Sequence, residues 1–495
     1  MADRVPRRHS ARSLASRAAL LLMAWIGFYA MGVGLAAALF SVPYAQVSYG
    51  KGPDLGGIIA GIGAVYLLWG FRPHFGPRPA KESESDEEVF PELRALVDGV
   101  AGRIGHPAPR HVKLLLDANA YAAYRSSWFG RGRSIVGIGI PYLAWLDRTG
   151  VEAIIAHEMG HHVAGDVKFG PWVHRTRYQI ARTLDHLEGS SFWLDLPFQA
   201  YARMFLRQSL VISRAQELEA DAVSVRVAGA AATGRALRVA AERGALWDVY
   251  VQTEVLPMVE RGFLPDLLAG FRIFEQAFRT RVGGLAPPSK KTSVYDTHPS
   301  LSERLDAIGL ERRQDTGESA DLTDSSALMP ALVGKAAAAE EHALRSILVN
   351  PARKLEPLAW EDAGKRVWLA LYRDNLAPYR KSLAALSLED FPRAIASLDA
   401  WLPHLRGGLA LLSPEAERRR ALGIFGSLLA LLLDARGFTI EALPGSPVRL
   451  RRGDLLVDPF ERVRSLAEGR IPAQDWGRFS EGFDGAGAAA PQPSR

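Results

Sequence analysis

Between Ala18 and Val42 the chain carries no charged side chain, and the segment ALLLMAWIGFYAMGVGLAAALF is apolar throughout. In hydrocarbon every backbone N–H and C=O must find its partner within the protein, so a single segment of this kind has one stable form, an α-helix. Its length meets the roughly 20 residues needed to cross a bilayer. A second charge-free run, Leu55 to Phe71, sits at the lower end of spanning length, with Trp69 and Phe71 near one end, where an interfacial aromatic is favoured. Together the runs predict a transmembrane hairpin over 18–72. A cleaved signal peptide followed by a buried core helix is the competing reading. Against it, the first run is longer than a usual signal core and a second follows at once.

Charge gives the hairpin a direction. Arg4, Arg7, Arg8, Arg12 and Arg17 against Asp3 put +4 in the leader 1–17, most of the +6 of the 495-residue chain. Arg72, Arg78 and Lys81 follow the second run, and only Lys51 and Asp54 lie between the two. By the positive-inside rule both outer flanks face the cytoplasm. The expectation is a multi-pass protein of the cell membrane with its body in the cytoplasm and the lipid bilayer as one partner. The same arithmetic removes most of the case for nucleic acid. Arg418, Arg419 and Arg420, and Arg449, Arg451 and Arg452, are short clusters with no recognition motif around them.

There is no cysteine. That excludes disulfide staples, Cys-ligated zinc, iron–sulfur clusters and thiol catalysis, and leaves His and carboxylates to build any metal site. The expected fold class is mainly α with a small β-sheet (α+β). Residues 73–88, with the acidic run Glu82 to Glu88, read as a linker, and 89–312 as a globular catalytic domain. Within it, PELRALVDGVAGRIG has helical spacing, while HVKLLLD (111–117) and SIVGIGI (134–140) read as strands. A helix follows from Pro141, and Thr149 is a candidate cap for the next, VEAIIAHEMGHHVA, with Gly165 a candidate stop. Residues 191–213 are apolar but interrupted by Asp195, Arg203 and Arg207, which suits a helix on the membrane surface, over the active site or in the core. Polar residues 314–326 mark a boundary. Beyond it, 327–484 reads as a helical domain with a place for a protein partner, containing a buried helix at 421–435 and a β-hairpin at 438–457. Residues 485–495 read as a disordered tail.

The chemistry lies in His157-Glu158-Met159-Gly160-His161. Histidines at i and i+4 stand one turn apart on one helix face, so both imidazoles reach one ion. Zinc takes such neutral nitrogen ligands, and it lowers the pKa of a bound water to about 7. Glu158, next to the first ligand, is placed to accept that water's proton. A catalytic zinc needs a third protein ligand. His162 points to another face. In Ser213-Arg214-Ala215-Gln216-Glu217-Leu218-Glu219-Ala220-Asp221, Glu217 and Asp221 are again i and i+4. One can ligate while the other orients a ligand histidine, and Glu219 falls on the opposite side.

HEMGH followed by SRAQELEAD resembles the integral-membrane zinc metallopeptidases of the HtpX and CAAX-prenyl-endopeptidase type, which have a gluzincin fold. The resemblance implies His157, His161 and Glu217 as ligands of one Zn2+, Glu158 as catalytic base and Asp221 as the partner of a ligand histidine. Asn119-Ala120-Tyr121-Ala122 resembles the segment that precedes that family's edge strand. Thr297-His298-Pro299-Ser300, with Arg304, resembles the segment closing its catalytic domain. His298 would then stabilise the oxyanion; read from the residues alone, Pro299 suits a first helical position with His298 merely before it. The likeness covers roughly 89–309. It departs in having no clean span within 163–216, in Tyr121 for the usual Phe, and in the C-terminal region, which has no counterpart. The expected activity is peptide-bond hydrolysis on protein or peptide substrates, with roles in membrane-protein quality control implied by the resemblance. The substrate would lie along Ile135, Val136, Gly137 and Ile138, read as an edge strand.

Overall fold

The computed structural model describes residues 11–71, 90–125, 133–163, 166–187, 195–282, 299–310, 336–348, 350, 352–405 and 413–481. The linker 73–88, the polar stretch 314–326, Gly165 and the tail 485–495 lie outside them. The described part is mainly helical with three small sheets, and the chain divides into two compact units. One comprises Met1–Gly244 with Ala286–Ala343, the other Ala245–Leu285 with Leu344–Arg495. The second unit thus takes in 245–285, which the sequence reading leaves inside 89–312.

In the first unit, α1 (Ala11–Ser48) and α2 (Leu55–Gly70) pack against each other. The turn between them is fixed by Asp54, which accepts the Gly57 N–H at 2.8 Å and a Gln46 amide N–H at 2.9 Å. Within α1 the stretch Ala19–Ser48 is long and apolar enough to cross a membrane by length and composition. α2 is shorter, 16 residues, which gives about 24 Å of helix against a hydrocarbon core of about 30 Å.

Helix α3 (Pro91–Ile104) ends on Gly105, whose φ of 73° supplies the left-handed cap. The sheet that follows has the order β1-β3-β2 (β1, His111–Leu115; β2, Ala120–Arg125; β3, Arg133–Gly139). β1 runs parallel to β3 with Val112 opposite Val136, and β2 antiparallel with Ala122 opposite Val136. β3 is therefore the central strand, and Ile135, Val136, Gly137 and Ile138 do not form an edge. Val136, Gly137 and Ile138 are buried and Ile135 is half-buried. The edge on the far side from β1 is β2.

A short α4 (Ile140–Trp145) leads to α5 (Arg148–Val163). The cap of α5 is Asp147 rather than Thr149: its carboxylate accepts the Gly150 N–H at 2.7 Å and the Thr149 hydroxyl at 3.0 Å. α6 (Asp166–Leu187) and α7 (Asp195–Ala228) come next. One apolar cluster joins Leu21, Phe28, Leu67 and Phe71 of the N-terminal helices and the residue after them to Ile180 and Leu187 of α6 and Phe198, Ala202 and Phe205 of α7. The described part of the expected 191–213 helix, 195–213, is thus the first half of α7, and its inner face packs on the N-terminal helices; 191–194 lie outside the described residues. α8 (Ala230–Tyr250) follows, and the short helix Leu301–Ala307 completes the part that matters here. Ser300 is its N-cap, with a capping box to Glu303, so Pro299 precedes the cap instead of taking the first helical position.

The second unit has its own core around Phe391, Phe425, Leu429, Leu433 and Trp476, all fully buried. The helix Pro414–Asp434 supplies three of these, as the apolar run 421–435 requires. Trp476 stacks on Phe391 and donates its indole N–H to the Leu388 carbonyl at 2.7 Å. Residues 438–457 form three short antiparallel strands, Thr439–Glu441, Arg449–Arg452 and Leu455–Val457, where the sequence suggests a single hairpin. The second turn, at Gly453, reads in sequence as part of one strand.

Candidate metal centre

α5 and α7 pack tightly enough to bring two helix faces onto one point. Gly160, between the two motif histidines, allows this: a β-carbon there would lie 3.0 Å from Val223 Cβ and 3.2 Å from Ala220 Cα of α7. On α5 the His157 and His161 rings stand edge to face, centroids 4.9 Å apart. On α7 Glu217 and Asp221 are one turn apart and both buried. Ring nitrogens of the two histidines and a Glu217 oxygen all lie within 4.8 Å of one another. His157 Nε2 is 3.5 Å from Glu217 Oε2, and His161 Nε2 is 3.7 Å from Glu217 Oε1. Tetrahedral ligands at about 2.0–2.1 Å from zinc stand roughly 3.3 Å apart, so this donor set is close to closing on such an ion.

The surroundings fix the ligands. His157 Nδ1 is 2.9 Å from Asp221 Oδ1, which sets the tautomer with the proton on Nδ1 and turns the Nε2 lone pair toward Glu217. Asp221 is fully buried and is gripped by Arg304, with Nε 2.8 Å from Oδ2 and Nη2 2.7 Å from Oδ1. Arg304 Nη2 also lies 3.6 Å from Glu217. Burial would raise the Asp221 carboxyl, but the hydrogen bonds from Arg304 and His157 overcome it and hold Asp221 below its ordinary range. Burial likewise opposes a charged His157, yet Asp221 and Glu217 outweigh it and push the ring up to about 9 without metal. Glu158 is raised by burial, against the pull of His157 and His161. Three carboxylates (Glu158, Glu217, Asp221) and one guanidinium leave −2 here with neutral histidines, which a dication cancels. Donor chemistry, spacing and charge all fit a zinc-type ion.

A cleft of about 290 Å³ opens beside these groups. Glu158, His157 and His161 line it together with Asn119 and Ala120 at the start of β2 and with Tyr142, Ala236 and Leu237. Tyr142 is held by its hydroxyl, which donates to the Ala118 carbonyl at 2.7 Å. Of the residues singled out in sequence, His157, Glu158, His161, Glu217 and Asp221 converge. Ile135, Val136, Gly137 and Ile138 belong to the central strand, and the strand reaching the cleft is β2. His298 lies outside the described residues. The grip of Arg304 on Asp221 has no local signal in the sequence, because the two are 83 residues apart.

Residues 87–311 match the model of peptidase family M48. A curated relative described as a protease HtpX homolog, from Pyrobaculum calidifontis, is 32% identical over 153 residues, covering 28% of this chain and 43% of that protein. The chain thus matches less than half the length of that relative. No solved structure matches significantly.

Proposed function

We propose, from an M48-type metallopeptidase domain at residues 87–311, that the chain is a membrane-anchored, zinc-dependent endopeptidase. The carrying observation is the convergence of His157, His161 and Glu217 beside Glu158 in a cleft that begins at β2. His157, His161 and Glu217 would hold the zinc, which when bound polarises the scissile carbonyl and acidifies a water. Glu158 accepts the proton of the attacking water and returns it to the leaving amine. Asp221 and Arg304 keep His157 oriented throughout. A substrate strand adds to β2, which among the described residues has β3 as its one strand partner.

The length and apolarity of Ala19–Ser48 support a membrane anchor, and the shorter α2 would complete a two-pass hairpin. The arginines flanking it support a cytoplasmic active site. Substrates are then protein segments near the bilayer, in keeping with a role in membrane-protein quality control. The test is Glu158→Gln on detergent-solubilised full-length protein. It should keep one zinc per chain by metal analysis and lose hydrolysis of an unfolded protein such as casein. Hydrolysis at the wild-type rate would rule the mechanism out.

A further inference from the structure

α6 and α7 carry one feature that peptide hydrolysis does not use. Arg177 of α6 is half-buried, and its Nε and Nη2 donate to Ser209 Oγ at 2.9 Å and Ser213 Oγ at 3.0 Å. The two serines are one turn apart on α7, and the Ser209 hydroxyl donates a hydrogen bond to the Leu206 carbonyl at 2.9 Å. A guanidinium has five N–H donors, so three remain. Among the described residues no carboxylate meets Arg177. Burial alone acts on its charge, lowering its pKa. A half-buried cation held only by neutral hydroxyls is short of a counter-charge.

Its place in the fold says where that charge comes from. Along α7 a single stripe runs Phe198, Ala202, Phe205, Ser209, Ser213 at steps of three and four. The first three pack on α1 and α2. Along α6 the matching stripe is Leu187, Leu184, Ile180, Arg177, whose first three residues belong to or pack on the same cluster. The two helices therefore run in opposite directions, and on both the apolar packing stops one turn before the arginine–serine group. At about 1.5 Å per residue, Ser209 and Ser213 lie roughly 6–12 Å beyond Phe205 along the helix axis. The exposed face of α7 over the same stretch bears Leu196 and Met204 next to Arg203 and Arg207, the apolar-plus-basic pattern of a helix at a membrane surface.

We propose that Arg177, Ser209 and Ser213 form a seat for the phosphate of a phospholipid headgroup at the cytoplasmic face of the bilayer. The free donors of Arg177 take two phosphate oxygens. The exposed basic residues around it favour lipids of net negative charge. Glu217 follows Ser213 by one turn on the same helix, so an occupied seat stiffens the element that carries the third metal ligand.

The site rests on the membrane-hairpin part of the proposed function, and two measurements keep them apart. Flotation of the wild type with phosphatidylcholine–phosphatidylglycerol (3:1) vesicles tests the hairpin. In detergent, titration with short-chain phosphatidylglycerol, followed by thermal stability of the full chain, tests the seat. The wild type should be stabilised, and Arg177→Gln should weaken the apparent affinity by about tenfold or more, the loss of charge-assisted hydrogen bonds. Arg177→Lys should retain part of it, and Arg182→Gln, on an exposed neighbour, should leave it unchanged. Equal titration of wild type and Arg177→Gln overturns the seat while leaving flotation intact. Equal loss in Arg182→Gln overturns it as well, since the effect would then be that of a diffuse field. Stabilisation by inorganic phosphate at the same concentration overturns the lipid assignment. Failure of the wild type to float overturns the hairpin and the seat together.

Discussion

Gly160 should be the most revealing single position in the ligand helices. A β-carbon there would stand 3.0 Å from Val223 Cβ and 3.2 Å from Ala220 Cα, whereas carbon atoms rest at about 3.5–4.0 Å. Gly160→Ala therefore presses α5 and α7 apart by about a few tenths of an ångström at this point. Zinc–ligand distances tolerate about 0.2 Å, and the two histidines sit on one of these helices while Glu217 sits on the other. Zinc affinity should fall about 10- to 100-fold, equivalent to about 1.4–2.8 kcal/mol. Fold stability moves less. Alanine in a helix interior gains about 1 kcal/mol over glycine, which offsets much of an overpacking cost of about 1–3 kcal/mol. The assay is competition for zinc between a fluorescent chelator and the metal-free full-length variant in detergent, alongside a thermal melt of the same metal-free sample. Zinc affinity within about threefold of wild type would refute the reasoning, because it would mean that the separation of the two helices does not set the ligand geometry.

Three further outcomes follow from the same contacts. Asp221→Asn keeps the shape of the His157 partner but removes its charge, so zinc affinity should drop about 10- to 100-fold, and unchanged affinity would mean that Asp221 does not orient His157. Chelation should lower the melting temperature of the wild type and zinc should restore it, because an ion held by the folded state alone stabilises that state by mass action; identical melts with and without chelator would contradict the ligand assignment. In the second unit, Glu254 accepts the Gly445 N–H at 3.1 Å, and burial holds its pKa above the usual carboxylate value. A raised acid pKa means that the folded state binds the proton more tightly. Stability is then lost as pH rises from the unfolded value near 4.5 through the folded one. Glu254→Gln should remove that loss, narrowing the difference in melting temperature between acidic and neutral pH; an unchanged difference would show that the carboxyl is not the cause.

What could be read from the sequence was the local geometry. His157 and His161, or Glu217 and Asp221, share a face because four residues make a helical turn, and no tertiary information is needed to see it. The apolar cluster of 421–435 was legible for the same reason. Strand order was not. β3, rich in β-branched residues, reads plainly as a strand, but whether it has one neighbour or two depends on β2. That partner is AYAAYR, whose small residues give almost no alternating pattern. The cap of α5 fell two positions early because Asp147 and Thr149 are both good capping residues, and only the backbone decides which carboxylate or hydroxyl meets the Gly150 N–H. Arg304 is marked in sequence only as part of the closing segment; its role was not legible, since its work is done on an aspartate from another helix.

α7 joins these levels in one element of 34 residues. Its first three turns present Phe198, Ala202 and Phe205 to α1 and α2, and Tyr201 donates its hydroxyl to the Ala24 carbonyl at 2.6 Å. Its later turns present Glu217 and Asp221 to α5. An unbroken helix transmits displacement along its axis far better than a loop does, so the hairpin and the third metal ligand are mechanically linked. On the membrane-anchored reading proposed above, a more hydrophobic α7 would be drawn into the bilayer and carry Glu217 away from His157 and His161, whereas a more polar one would lose its packing on α1. Arg203 and Arg207, both exposed on α7, break its apolar run between those two extremes.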